Sequence, residues 1–155
     1  MAANRTTQLK TELVDALRRH SGSVVLLHAA IAERLGLGPA DHKCLDLLLR
    51  FGPLPAGDLA DKSALTTGAI TGVIDRLEKA GYAVRASDPH DRRRVVVEPN
   101  RERALADIEP IFAGLKRGMS AMLDRYSAEE LELLLDFLKR IDQLIDDHTA
   151  ALRRA

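Results

Sequence analysis

The 155-residue chain is most informative first for what it lacks. It has a single cysteine, Cys44, so no disulfide can close within it, and a reducing cytoplasm is the expected setting. It has no apolar run approaching the roughly 18 residues that a membrane-spanning helix needs. Met1–Lys10 is polar and has no apolar stretch of the secretory kind, so no signal peptide is expected. The chain also lacks a glycine-rich phosphate loop, a metalloprotease helix and a nucleophile elbow, which leaves no constellation on which to build an enzyme. No zinc-ligand spacing is present, and no cofactor is expected. There is no internal repeat and no low-complexity segment. Finally, it has no net charge, because 23 basic residues balance 23 acidic ones.

A neutral total ordinarily argues against nucleic acid, but here the charge is unevenly placed. Four arginines and two aspartates fall between Arg85 and Arg94, whereas Ser127 to Asp147 holds seven acids against Lys139 and Arg140. That gives a basic tip and an acidic helix, and local charge is what meets phosphate.

What is present is mostly helical pattern. Residues 7–35 carry Leu9, Leu13, Leu17, Val24, Ile31 and Leu35 on one stripe, and Gly36 and Gly38 end that helix. A second helix opens on Pro39 with Asp41 in its first turn, where the helix dipole favours a carboxylate, and stops at Gly52-Pro53. Then comes the stretch around which the chain is organised. A short helix over Ala56–Lys62 and a turn at Ser63–Leu65 lead to a helix over Thr66–Ala80, and two β-prone runs follow at Tyr82–Ala86 and Val95–Glu98. In the second of these helices Ile70, Val73, Ile74 and Leu77 make an apolar stripe. The opposite face shows Thr67, Gly68, Thr71, Gly72, Asp75 and Arg76. Two glycines on an exposed helical face cost roughly 1 kcal/mol each against alanine, a cost that fits close approach to the helix backbone. From Asn100 a long helix carries Leu105, Ile108, Phe112, Leu115, Met119 and Met122 in a heptad-like seam. Ser127 and Glu130 form a capping box before a last helix whose apolar face includes Leu134, Leu138, Ile141 and Ile145.

Helix, turn, helix and arginine-tipped hairpin together make a DNA-reading module. The run LTTGAITGVIDRLEKAGY followed by SDPHDRRRVVVE resembles the winged helix-turn-helix core of the MarR family of bacterial transcriptional regulators. The order of elements along almost the whole chain is similar too. The resemblance implies a mainly α fold with a small β-hairpin, forming one domain over 1–155. A winged helix-turn-helix at about 39–99 would stand between dimerisation helices at about 7–35 and 100–152. It also implies a homodimer bound to a pseudo-palindromic operator in double-stranded DNA, usually as a repressor released by a small ligand. The family's Asp-x-Arg wing motif falls on Asp91, Arg92 and Arg93, making Arg93 the minor-groove residue and Asp91 the carboxylate that orients the wing. The chain departs from the family where Gly72 replaces a common arginine and where Glu98-Pro99 replaces a common Leu-Thr.

The DNA-contacting set expected on this basis is Thr66, Thr67, Gly68, Thr71, Gly72, Arg76, Asp91, Arg92, Arg93 and Arg94. The threonines would meet phosphates or a thymine methyl, and Arg92 or Arg94 a phosphate. Arg76 either reaches phosphate or pairs with its neighbour Asp75. An effector pocket is expected around His28, His42 and Cys44, against the plainer readings of His28 as a core histidine and Cys44 as a buried structural residue. A cysteine- or metal-responsive sensor of the same fold is the alternative regulator. A helical interaction module without DNA binding is the alternative outside that class, and gel-shift behaviour separates it.

Overall fold

The structure, a computed structural model, describes residues 2–88 and 95–154. Its elements run α1 (Ala2–Arg34), α2 (Pro39–Phe51), β1 (Leu54–Pro55), α3 (Ala56–Ser63), α4 (Thr67–Lys79), β2 (Ala83–Ser87), β3 (Val95–Pro99), α5 (Arg101–Leu123) and α6 (Ala128–Arg154). The chain falls into two compact units, Met1–Ile111 and Phe112–Ala155. The fold is mainly α with a small antiparallel sheet, as the sequence indicates.

Most boundaries fall within a residue or two of expectation, and two larger differences stand out. The first helix begins at Ala2, not at residue 7, through a polar segment that has no apolar stripe to announce it. The sheet has three strands, ordered β1-β3-β2, not the two of a bare hairpin. Leu54 and Pro55 pair with Val97 and Val96. A proline survives there because β1 is an edge strand, where a missing N–H leaves no interior ladder bond broken.

The core of the first unit sits where α2, α3 and α4 meet the sheet. Leu45, Leu48, Leu59, Ile70, Val73, Ile74, Leu77 and Val97 are all buried there. The expected stripe of α4 is therefore its inward face, and each such aliphatic side chain contributes about 1.5–3 kcal/mol by leaving water. Between α3 and α4 the chain turns at Ala64, whose φ of 61° is left-handed. The N–H groups of Ala64 and Leu65 close that helix end on the carbonyls of Asp61 and Ala60.

Asn100 ties the sheet to α5. Its backbone N–H donates to the Tyr82 carbonyl, its side-chain amide donates to the Gly81 carbonyl, and its Oδ1 accepts from the Arg103 N–H at 3.2 Å, capping the helix. The Tyr82 hydroxyl donates to Asp107 at 2.9 Å. In the second unit, the capping box of α6 forms as read, with the Ser127 N–H donating to Glu130 and the Glu130 N–H to the Ser127 hydroxyl. No residue of α6 is buried; Leu135, Leu138, Leu144 and Ile145 are exposed.

Candidate nucleic-acid interface

The surface begins at the N-terminus of α4. Thr66 is the N-cap, with extended backbone, and its hydroxyl oxygen accepts from the Ala69 N–H at 3.3 Å. The Thr71 hydroxyl donates to the Thr67 carbonyl at 3.1 Å. Thr66, Thr67, Gly68 and Thr71 all lie exposed on one end of the helix. Thr66→Ala should lower stability by about 1 kcal/mol through loss of the cap. A shift in the urea unfolding midpoint measures it, and an unchanged midpoint would show that the cap bond carries no net stability.

The two glycines have different surroundings. A Cβ added at Gly68 would meet nothing within 4 Å, so that backbone is open to whatever approaches it. A Cβ at Gly72 would stand 3.2 Å from Nη1 of Arg76. Gly72 thus makes room for a side chain of its own helix.

That side chain is braced. Arg76 Nε donates to both carboxylate oxygens of Asp41, at 3.1 and 2.9 Å, and Nη2 donates to Oδ1 at 2.7 Å. These hydrogen bonds hold the guanidinium pKa above its ordinary value. On the other flank of α4, Asp75 accepts from Arg85 at 2.6 Å, and Glu78 accepts from the Arg85 backbone N–H and guanidinium. The local Asp75–Arg76 pair is therefore not formed; each residue bonds to a different element. Asp75 and Arg76 are adjacent in sequence, so on a helix they diverge by about 100° and reach β2 and α2 respectively. Helix α4 is clamped between α2 and β2. Neither Asp41 nor Arg85 is in the set read from sequence. Asp41 was legible only as a helix-dipole residue, and nothing local marks its partner 35 positions away.

The wing strands β2 and β3 pair antiparallel, from Ala83 opposite Pro99 to Ser87 opposite Val95. Asp91, Arg92, Arg93 and Arg94 lie outside the described residues.

His28 of α1 and His42 of α2 do come together, with ring centroids 5.3 Å apart. They line a cavity of about 330 Å³ with Val24, Val25, Ala29 and Asp46 among its other walls. His28 is exposed, not a core histidine. Burial, and secondarily the charge of His28, lowers the His42 pKa. Cys44 does not join them. It is fully buried in the core of the first unit, because two residues along a helix turn a side chain to a different face. Burial raises its thiol pKa, the reverse of what a reactive thiolate needs. The native thiol should therefore react with a disulfide reagent at least ten times more slowly than the thiol of the urea-unfolded chain, a rough floor from its burial and raised pKa. Equal rates would contradict the placement. Among the described residues no cluster of three or more His, Cys, Asp or Glu side chains could hold a metal, and no helix is long and apolar enough to cross a membrane.

Comparison with known proteins bears on the family and the fold. The family model described as "MarR family" matches residues 37–95, which run from the start of α2 to the start of β3. An uncharacterised HTH-type transcriptional regulator of Bacillus subtilis, YcgE, is 37% identical over 151 residues, covering 97% of this chain and 97% of its own. The HTH-type transcriptional regulator MhqR of the same organism is 33% identical over 106 residues, covering 68% and 72% of the two chains. Among solved structures, a MarR family protein from Bacillus stearothermophilus superposes with a TM-score of 0.70 at 24% identity, covering 90% of this chain and 96% of the other. With a relative this similar along nearly the full length, the chain belongs to the MarR family of DNA-binding helix-turn-helix transcriptional regulators.

Proposed function

We propose that the protein works as a homodimer that places two α4 helices in successive major grooves of a pseudo-palindromic operator and represses transcription until a small ligand releases it. The observation that carries this reading is the exposed face of Thr67, Gly68 and Thr71 on a helix whose other face is buried and whose flanks are clamped to α2 and β2. A surface held this firmly can dock without a large ordering cost. Thr66, Thr67 and Thr71 offer hydroxyls to phosphates and methyls to thymine, and Gly68 admits close approach of a backbone. Arg76 adds a guanidinium at the edge of this face. The wing would supply Arg93 to a narrow minor groove, with Arg92 or Arg94 on phosphate and Asp91 orienting the tip.

Dimerisation is supported by the exposed apolar side chains of α1 and α6, Leu9, Leu13, Leu138 and Ile145 among them, since monomers rarely leave long apolar stripes open to water. Such pairing would fix the distance between the two α4 helices at about one turn of duplex. The cavity holding His28 and His42 is the seat proposed for the effector. A ligand there would change DNA affinity only if it bound one spacing of the helices better than the other. The burial of Cys44 favours this reading over a cysteine-responsive one.

The test is a gel shift on a duplex from the region upstream of the protein's own gene, titrated with salt, beside a light-scattering mass. A dimer mass and a retarded band whose affinity falls steeply with salt are expected. A folded protein that retards no duplex at any salt concentration would leave a helical interaction module instead.

A further inference from the structure

We propose that Asp41 is a positioning residue for DNA recognition: it holds Arg76 at the edge of the recognition face while cancelling its charge, so that this arginine offers directed hydrogen bonds to the duplex without an added counterion-releasing contact. The inference rests on the reading of α4 as the recognition helix.

Three features of the pair point this way. First, it is asymmetric. The Asp41 side chain is 4% exposed, whereas the Arg76 side chain is 57% exposed. The carboxylate is a buried anchor and the guanidinium reaches the surface. Second, the fork uses Nε and Nη2 and leaves Nη1 outside it, on the side toward Gly72. A side chain at position 72 would crowd that nitrogen, so the glycine keeps Nη1 open beside the face that carries Gly68 and Thr71. Third, Asp41 is itself fixed, because Oδ2 accepts the Gly38 N–H at 3.1 Å and anchors the start of α2. A carboxylate held by its own helix end cannot follow the arginine if the arginine swings away. The pair therefore fixes the direction in which the remaining donor points.

The electrostatic consequence is separable from the structural one. A cation that neutralises a DNA phosphate releases condensed counterions and steepens the dependence of affinity on salt by about 0.9 per contact. An arginine already paired with a buried carboxylate contributes little to that slope. A mere structural brace would affect stability and leave the slope alone.

The experiment compares the wild-type protein with Asp41→Asn and Asp41→Asn/Arg76→Gln. Asparagine keeps an oxygen for the Gly38 N–H, so the start of α2 is retained. Affinity is measured by fluorescence anisotropy across a salt series, on the upstream duplex and on a scrambled duplex of the same composition. For Asp41→Asn, log affinity against log salt should steepen by about 0.9, the signature of one more phosphate contact. Binding to the scrambled duplex should rise several-fold at low salt, narrowing the preference for the upstream sequence. The double variant, neutral again at this pair, should return to the wild-type slope. Identical slopes in all three proteins, with affinity tracking thermal stability, would overturn the assignment and leave a plain brace. Absence of binding by the wild-type protein would overturn the DNA-reading surface itself, and with it this role for Asp41; that failure shows in the wild-type arm alone.

Discussion

Gly68→Glu should lower affinity for the upstream duplex by roughly 100-fold without unfolding the protein. The two halves of that result have separate causes. A Cβ at position 68 meets nothing within 4 Å, so the protomer has room for the new side chain. Glutamate is a better helix former than glycine, and position 68 lies in the first turn of α4, where a carboxylate suits the dipole. Stability should hold or rise by up to about 1 kcal/mol. The loss appears only when DNA arrives. The side chain occupies the space a backbone contact needs, and its charge faces phosphate. Forfeiting about two contacts of 1–3 kcal/mol each accounts for the size of the effect. Anisotropy titration beside urea unfolding checks both halves. Unchanged affinity in a folded protein would remove the exposed face of α4 from the DNA surface.

Leu77→Ala should have the largest effect on stability, about 3 kcal/mol. Leu77 is fully buried, in the same core cluster as Leu45, Leu48, Leu59 and Val97. Truncation removes apolar contact and leaves a void that the rigid junction of helices and strands can fill only in part. The urea midpoint should fall with the slope of the transition unchanged, measured at one fixed protein concentration because the proposed dimerisation would couple to folding. DNA binding should weaken only as far as the folded fraction falls. A loss below about 1 kcal/mol would mean that the α4 stripe is not the keystone of this core.

The contrast between these two positions shows where the sequence was legible. Ile70, Val73, Ile74 and Leu77 recur at helical spacing, and that pattern alone separates the inward face of α4 from the outward one. Ser127 was readable as a cap because capping is a local hydrogen bond, whereas Thr66, read as the first helical residue, is the N-cap of α4. The clamp on α4 was not readable. Asp41 and Arg76 are brought together only by the crossing of α2 over α4, and their neighbours in sequence suggest other partners, Asp75 for the arginine and a helix dipole for the aspartate. The short strand β1 was hidden because Gly52-Pro53 read as a helix stop, and a two-residue edge strand has too few side chains to alternate. For the cavity proposed as the effector's seat, sequence suggested His28, His42 and Cys44. The α1–α2 packing joins the two histidines, and the helical phase of α2 turns the cysteine into the core.

The most direct test of the account is a hydroxyl-radical footprint of the purified protein on the duplex upstream of its gene. Two clamped recognition helices carried by paired subunits should protect two tracts whose centres lie about 10 base pairs apart, or a whole multiple of that spacing, on one face of the helix. A single short tract, or none at concentrations where the protein is folded and dimeric, would contradict it.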